Sequence, residues 1–207
     1  MSETKQKILF KSLKLFNALG ISEVSLRNIA DAAGMSVGNL QYHFKKREDI
    51  VEALYFQLVD EIDGIYFLKT DSLLRSFLEI SKEMMTILYK YHFFLLDFIS
   101  ITRRNKKIKS HYSKLSKRRE SESLQVLAVL IQQGLFREEK LKDEYHHLYK
   151  RIELMSNFWF SSILIQTKSL TKKSIEEYSL LVSKSVYPYL TKKGQTQYAK
   201  IYPFQVM

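Results

Sequence analysis

Cysteine is absent from the 207 residues, and there are only two prolines and six glycines. Without a thiol the chain has no disulfide framework, and neither thiolate catalysis nor a cysteine metal site is open to it. Scarce glycine excludes a collagen-like or low-complexity chain. From Val51 to Leu190 only Gly64, Gly134 and Pro188 interrupt a helix-compatible sequence. Long apolar runs are missing as well: stretches such as Phe158 to Ile165 fall far short of the ~20 residues that cross a bilayer. The opening MSETKQKILFKSLKLF sets a lysine every few residues among its apolar ones, which leaves no signal-peptide core. These absences predict a soluble, cytoplasmic protein with no membrane partner. A hydrophobic content of 45% excludes wholesale disorder, and the length suits one large domain or two smaller ones.

What remains is helical patterning. Apolar residues at Ile8, Leu9, Leu15, Phe16 and Leu19 predict a first helix from about residue 3 to 19, closed by Gly20. Ser25 is placed to cap a second helix with Leu26, Ile29, Ala30 and Ala33 inward, Gly34 turns the chain, and Ser36 caps a third through Phe44. Helices this short are unstable alone, so residues 1–50 are expected to form a tri-helical unit held by mutual packing. Longer helices follow at about 47–67, 70–89, 92–104, 107–133, 143–167 and 171–187, and the tail after Gly194 reads as irregular. The predicted fold is all-α, with residues 51–207 forming a larger bundle.

Positive charge is unevenly distributed. Residues 51–100 hold four basic and eight acidic side chains, whereas residues 101–120 hold nine basic and one acidic. The excess is concentrated between Arg103 and Arg119. Such a run is either a solvated surface or a site of attraction for a polyanion.

Residues 25–44, SLRNIADAAGMSVGNLQYHF, have the form of a helix, a tight turn and a second helix. With Leu40 set to zero, at ~100 degrees per residue, Val37 and Phe44 fall within about 60 degrees of it and pack inward. Tyr42, Gly38 and Asn39 point outward, with Gln41 and His43 flanking them. That small, polar and aromatic face suits a helix entering a major groove, where base edges present donors and acceptors. Ser36 and the free amides near it are placed to meet a phosphate, as are Lys45, Lys46 and Arg47. Asn39 and Gln41 have the chemistry to read bases.

The stretch from Ile8 to Leu54 resembles the DNA-binding domain of the TetR family of bacterial repressors. The likeness rests on LF shortly before a glycine, NIADAAGMS, GNLxYHF, and a basic residue before an acidic pair. The resemblance implies that the helix after Ser36 is the recognition helix and that Tyr42, His43 and Lys45 contact operator DNA. Arg47 stands where the family usually has lysine, which implies a retained phosphate contact. Ser25, Arg27, Val37 and Gly38 complete the candidate DNA contacts. Gln41 replaces a tyrosine usual in the family, and Phe10 and Lys11 replace polar and small residues, so the operator is expected to differ from those of relatives.

The same resemblance implies that the remainder is a ligand-binding and dimerisation bundle. Large side chains on inner faces give candidate pocket residues: Met85, Tyr89, Phe93, Phe94, Phe98, Tyr112, Phe158 and Trp159, with Asp97 and Asn157 as polar orienting groups. The partners expected are double-stranded operator DNA, a small apolar or aromatic effector and a second copy of the chain. The last two long helices carry more apolar surface than their own core needs. No GxSxG, P-loop, GxGxxG or HExxH motif occurs, so no enzyme is expected, and no cofactor or metal is called for. Asp143 and His147 share a helical face but offer two ligands at most. A competing possibility is a helical ligand-binding or scaffold protein that has lost specific DNA binding, which the departure at Gln41 keeps open.

Overall fold

The computed structural model describes residues 2–67, 72–167 and 169–203, and apart from one isolated bridge between Phe136 and Leu190 their regular structure is helical. The helices are α1 (Glu3–Leu19), α2 (Leu26–Ala33), α3 (Val37–His43), α4 (Arg47–Asp63), α5 (Leu73–Lys90) and α6 (His92–Leu96), followed by α7 (Phe98–Arg104), α8 (Lys106–Gln132), α9 (Glu144–Gln166), α10 (Lys172–Val186) and α11 (Lys192–Ile201). Single 3-10 turns stand at Gly64–Phe67 and Tyr187–Tyr189. The expected start of a helix at residue 70 lies outside the described residues. No helix among the described residues is long and apolar enough to cross a membrane.

Two compact units share the chain. One comprises the described residues up to Asp63 together with Ile87–Tyr112; the other comprises those of Gly64–Thr86 and from Ser113 onward. The division falls inside α5 and α8, and it assigns the segment 87–112 to the same unit as the first four helices.

In the first unit, side-chain caps start the short helices. Ser25 and Asn28 form a reciprocal capping box at α2, Ser36 accepts from the Asn39 amide at α3, and the Asp49 carboxylate accepts from the Lys46 amide ahead of α4. Gly34, at φ 66°, supplies the left-handed residue that ends α2. Ile8, Leu9, Leu13 and Phe16 of α1 are buried, as are Ile29, Ala30, Ala33, Leu40 and Phe44. Leu19, expected inward, is 55% exposed: it shares the angular range of Ile8 and Ser12 but is the last residue of α1, next to the Gly20 cap. Leu13 is buried instead.

The expected helix at 92–104 is broken at Asp97 into α6 and α7. There the Asp97 Oδ2 accepts the Ile21 amide at 3.3 Å, so this carboxylate serves a distant loop and not an ion pair with the nearby arginines. Asn17 fastens the same segment: it donates to the Lys90 carbonyl at 2.8 Å and accepts from the Phe93 amide at 3.0 Å.

In the second unit a core forms from Leu74, Leu78, Leu127, Leu130, Phe136, Tyr145, Leu148, Val186 and Tyr198. Beside it, Arg137 grips Glu144 with two nitrogens at 2.8 and 2.9 Å, and these bonds draw the Glu144 carboxyl down to about 2.

The tail departs from the sequence expectation. Residues 195–201 are not irregular but continue helix α11. Thr191 caps that helix by accepting from the Gly194 amide, and its hydroxyl also donates to the Gly134 carbonyl at 2.6 Å. Gly194 is a point of close approach and not a breaker: a Cβ there would sit 2.1 Å from the Leu135 carbonyl oxygen. Gly194→Ala is therefore expected to destabilise the protein by about 1–3 kcal/mol, since backbone cannot yield as a side chain would. The check is a lowered urea midpoint at unchanged slope.

Candidate nucleic-acid interface

Helix α3 has only seven residues, and Leu40 and Phe44 are its inward anchors, exposed by 0% and 8%. Val37 is half-buried beside them. The opposite face is open: Gly38, Asn39 and Gln41 are exposed, and Tyr42 is exposed by 85%. The Tyr42 and His43 rings meet edge to face at 5.1 Å, so the phenol is braced by the half-buried imidazole. Lys45 and Lys46 follow, both exposed. The outward surface thus offers an amide at Asn39, an amide at Gln41, a phenol, an imidazole and two ammonium groups. Amides pair bidentately with adenine and cations pair with phosphate.

The second rank of candidates lies at the other helix ends. Ser25 is exposed at the start of α2, its hydroxyl shared between the Asn28 amide and the Asn28 side chain. Arg27, two residues on, is exposed as well. The Ser36 oxygen accepts from Asn39, which leaves its proton free to donate outward.

Arg47 has a role that spacing did not reveal. Its Nη1 donates to the carbonyls of Ile21 at 2.7 Å and Val24 at 3.1 Å, with Ser22 at 3.4 Å. The guanidinium therefore ties the start of α4 to the loop that feeds α2. A second unforeseen feature is Glu52, one and a half turns into α4. It accepts from Lys107 at 2.5 Å and from Asn105 at 3.1 Å. Burial pushes its carboxyl up, but these bonds and the positive charges of Lys107 and Lys46 outweigh burial and hold it below its ordinary value. Neither contact was legible in the sequence, since Glu52 and Lys107 are 55 positions apart.

The candidate pocket residues divide between the units. Within the first, rings form a continuous chain: Phe93 with Phe94 at 6.4 Å, Phe94 with Phe98 at 5.7 Å, and Phe98 with Tyr112 at 4.8 Å. Tyr55 stacks on Phe94 at 5.2 Å and bonds the His111 ring at 2.8 Å. Tyr89 is half-buried against His92, and Asp97 faces Ile21 as described. Within the second, Met85 is buried and Asn157 half-buried. Trp159 stacks on Tyr178 at 4.5 Å, and among the described residues its buried Nε1 has no hydrogen-bond partner. Phe158 is 43% exposed and aligned with Leu154 and Ile165 on the outer side of α9. Of the acidic and histidine cluster at 143–147, His146 lies 2.6 Å from Glu120.

Two family models match the chain. One, described as bacterial regulatory proteins of the tetR family, covers residues 8–54, and the other, described as a bacterial transcriptional repressor, covers residues 59–198. The chain belongs to the TetR family. Membership makes it a transcriptional regulator, not an enzyme. It is similar to the transcriptional regulator AcrR of Shigella flexneri, with 42% identity over 53 residues, 26% of this chain and 25% of that protein. It is also similar to the transcriptional repressor KstR2 of Mycolicibacterium smegmatis, with 32% identity over 62 residues, 30% of each chain. The matches therefore span less than a third of these curated relatives. A TetR-family regulator from Marinobacter aquaeolei VT8 shares the fold with a TM-score of 0.84 at 22% identity, covering 99% of this chain and 100% of that one. KstR2 of Mycobacterium tuberculosis does so with a TM-score of 0.64 at 17% identity, covering 93% and 97%.

Arg47→Ala is expected to cost about 1–3 kcal/mol, because the carbonyls of the loop lose their charged donor. Arg47→Lys keeps the charge but not the planar guanidinium whose Nη1 reaches these carbonyls, so it should recover only part of the loss in a urea melt.

Proposed function

We propose that this TetR-family regulator is a homodimeric repressor. It binds a palindromic duplex operator through α3 and releases it when a small apolar or aromatic molecule enters its bundle. The observation that carries the reading is the split of α3 into two sides: Leu40 and Phe44 buried, and Asn39, Gln41 and Tyr42 exposed. Tyr42 and the following lysines fix the helix against phosphates, and Asn39 and Gln41 discriminate bases.

Dimerisation is supported by uncovered apolar surface. Leu154, Phe158 and Ile165 are 58%, 43% and 86% exposed, and they lie within about 40 degrees of one another around α9. Leu181 of α10 is 52% exposed, while Val182 and Val186 face inward. A patch of this kind on a monomer is costly, and pairing by a two-fold axis would cover it. Two copies would present two α3 helices to successive major grooves, which is why the operator is read as palindromic. The effector reading draws on the buried rings of the second unit, Trp159, Phe160 and Tyr178, where the unpartnered Trp159 Nε1 would donate to an acceptor on an otherwise apolar molecule. Such a molecule shifts operator affinity only by its preference for one conformation of the protein over another.

Band-shift with the DNA upstream of the protein's own gene tests the reading. Wild type should select that duplex over a scrambled one of equal length. Tyr42→Ala should weaken both and make the salt dependence shallower by about 0.9 for each phosphate it ceases to engage. Gln41→Ala should relax preference at one base pair by about 1–3 kcal/mol. Failure of wild type to discriminate would leave a ligand-binding scaffold in place of a repressor. Sedimentation should show a dimer, converted to monomer by Leu154→Glu combined with Phe158→Glu.

A further inference from the structure

The basic run is more than a solvated surface. Within the first unit it contributes Arg103 and Arg104 at the end of α7 and Lys106, Lys107 and Lys109 at the start of α8. These five are exposed. Only Lys107 is paired, with Glu52; among the described residues Arg103, Arg104, Lys106 and Lys109 hold no ion pair. Helix electrostatics explain half of the arrangement. Cations in the last turn of α7 oppose the negative end of its dipole and are favourable there. Cations in the first turn of α8 face the positive end and are unfavourable, and no acidic residue stands in that turn to offset them. Three lysines within four residues repel one another as well. Helix stability therefore does not account for Lys106 and Lys109.

Placement does. The segment is fastened at both ends to the α2 and α4 side of the DNA-reading module. At one end Asp97 accepts the Ile21 amide, in the loop that leads to Ser25. At the other, Asn105 and Lys107 hold Glu52, whose carboxylate also feels the charge of Lys46 beside α3. The Asn105 side chain caps α8 through the Ile108 amide at 3.0 Å, so one residue sets both the helix start and its attachment to α4. Lys107 is the anchor, and its four basic neighbours are left to face outward.

We propose that Arg103, Arg104, Lys106 and Lys109 form a second phosphate-contacting surface, which grips duplex DNA flanking the sequence read by α3. The proposal rests on the reading that α3 lies in the major groove. The added grip is independent of sequence and salt-sensitive: it lengthens the footprint without changing which bases are chosen.

The test uses the full-length protein and two duplexes from the upstream region. One is trimmed to the protected sequence and the other carries about ten further base pairs on each side, one helical turn. Wild type should bind the longer duplex more tightly than the trimmed one. The variant R103Q/R104Q/K106Q/K109Q should bind both alike, with a salt slope on the longer duplex shallower by about 0.9 for each phosphate left unneutralised. Its selectivity over scrambled DNA should be unchanged. A second variant, K106Q/K109Q, guards against misfolding: with cations removed from a helix start, its melting temperature should not fall, and its flank gain should be partly abolished. Sequence-selective binding with no flank gain, or with an unchanged slope in the quadruple variant, overturns the second surface alone. Loss of selectivity in wild type overturns the α3 reading and the second surface with it. Binding to phosphatidylserine vesicles that the quadruple variant loses while its DNA slope stays the same assigns the cations to a membrane and overturns the proposal.

Discussion

A helix of seven residues cannot hold its own shape in water, because nucleation costs more than so few hydrogen bonds return. The shape of α3 is imposed from outside: Leu40 and Phe44 are buried, Ser36 closes the first turn, and the Arg47 guanidinium holds the loop ahead of α2. The polar face of the helix depends on that support. Its side chains at Asn39, Gln41 and Tyr42 stay exposed because none of them is needed for packing.

The first unit extends well beyond this short module. Asn17, Ile21 and Glu52 collect the segment 87–112 by backbone and side-chain hydrogen bonds, and the ring chain from Phe93 to Tyr112 fills the space between them. Residues distant in sequence thereby become part of the same unit as α2 and α3. A change in the packing of those rings acts on α4 directly, since Tyr55 and Phe56 of α4 both touch the His111 ring. Phe94 of α6 and His111 of α8 are thus in ring contact with α4, the helix that follows α3.

Local chemistry made the first half of the fold legible. Caps at Ser25 and Ser36, the left-handed turn at Gly34 and the inward register of Leu40 and Phe44 are all consequences of side chains acting on their near neighbours. What sequence missed was produced by partners far away. At the break, Asp97 accepts from an amide 76 positions distant, and Arg47 reaches carbonyls 23 to 26 positions away. Gly194 shows the same limit, because glycine in isolation signals a chain reversal. Here the missing side chain makes room for the Leu135 carbonyl, and only the tertiary contact distinguishes the two. Phe158 and Trp159 are adjacent in the chain, and residue type gives them the same apolar character. On a helix neighbours diverge by about 100 degrees, and one faces outward while the other is buried.

Trp159 is the sole tryptophan of the chain. Its indole lies flat against a tyrosine and is shielded from water, so the indole emission of the protein comes from a single address. Wavelength and intensity of that light report on one spot between α9 and α10, and a molecule that separates the stacked pair announces its arrival without any attached dye.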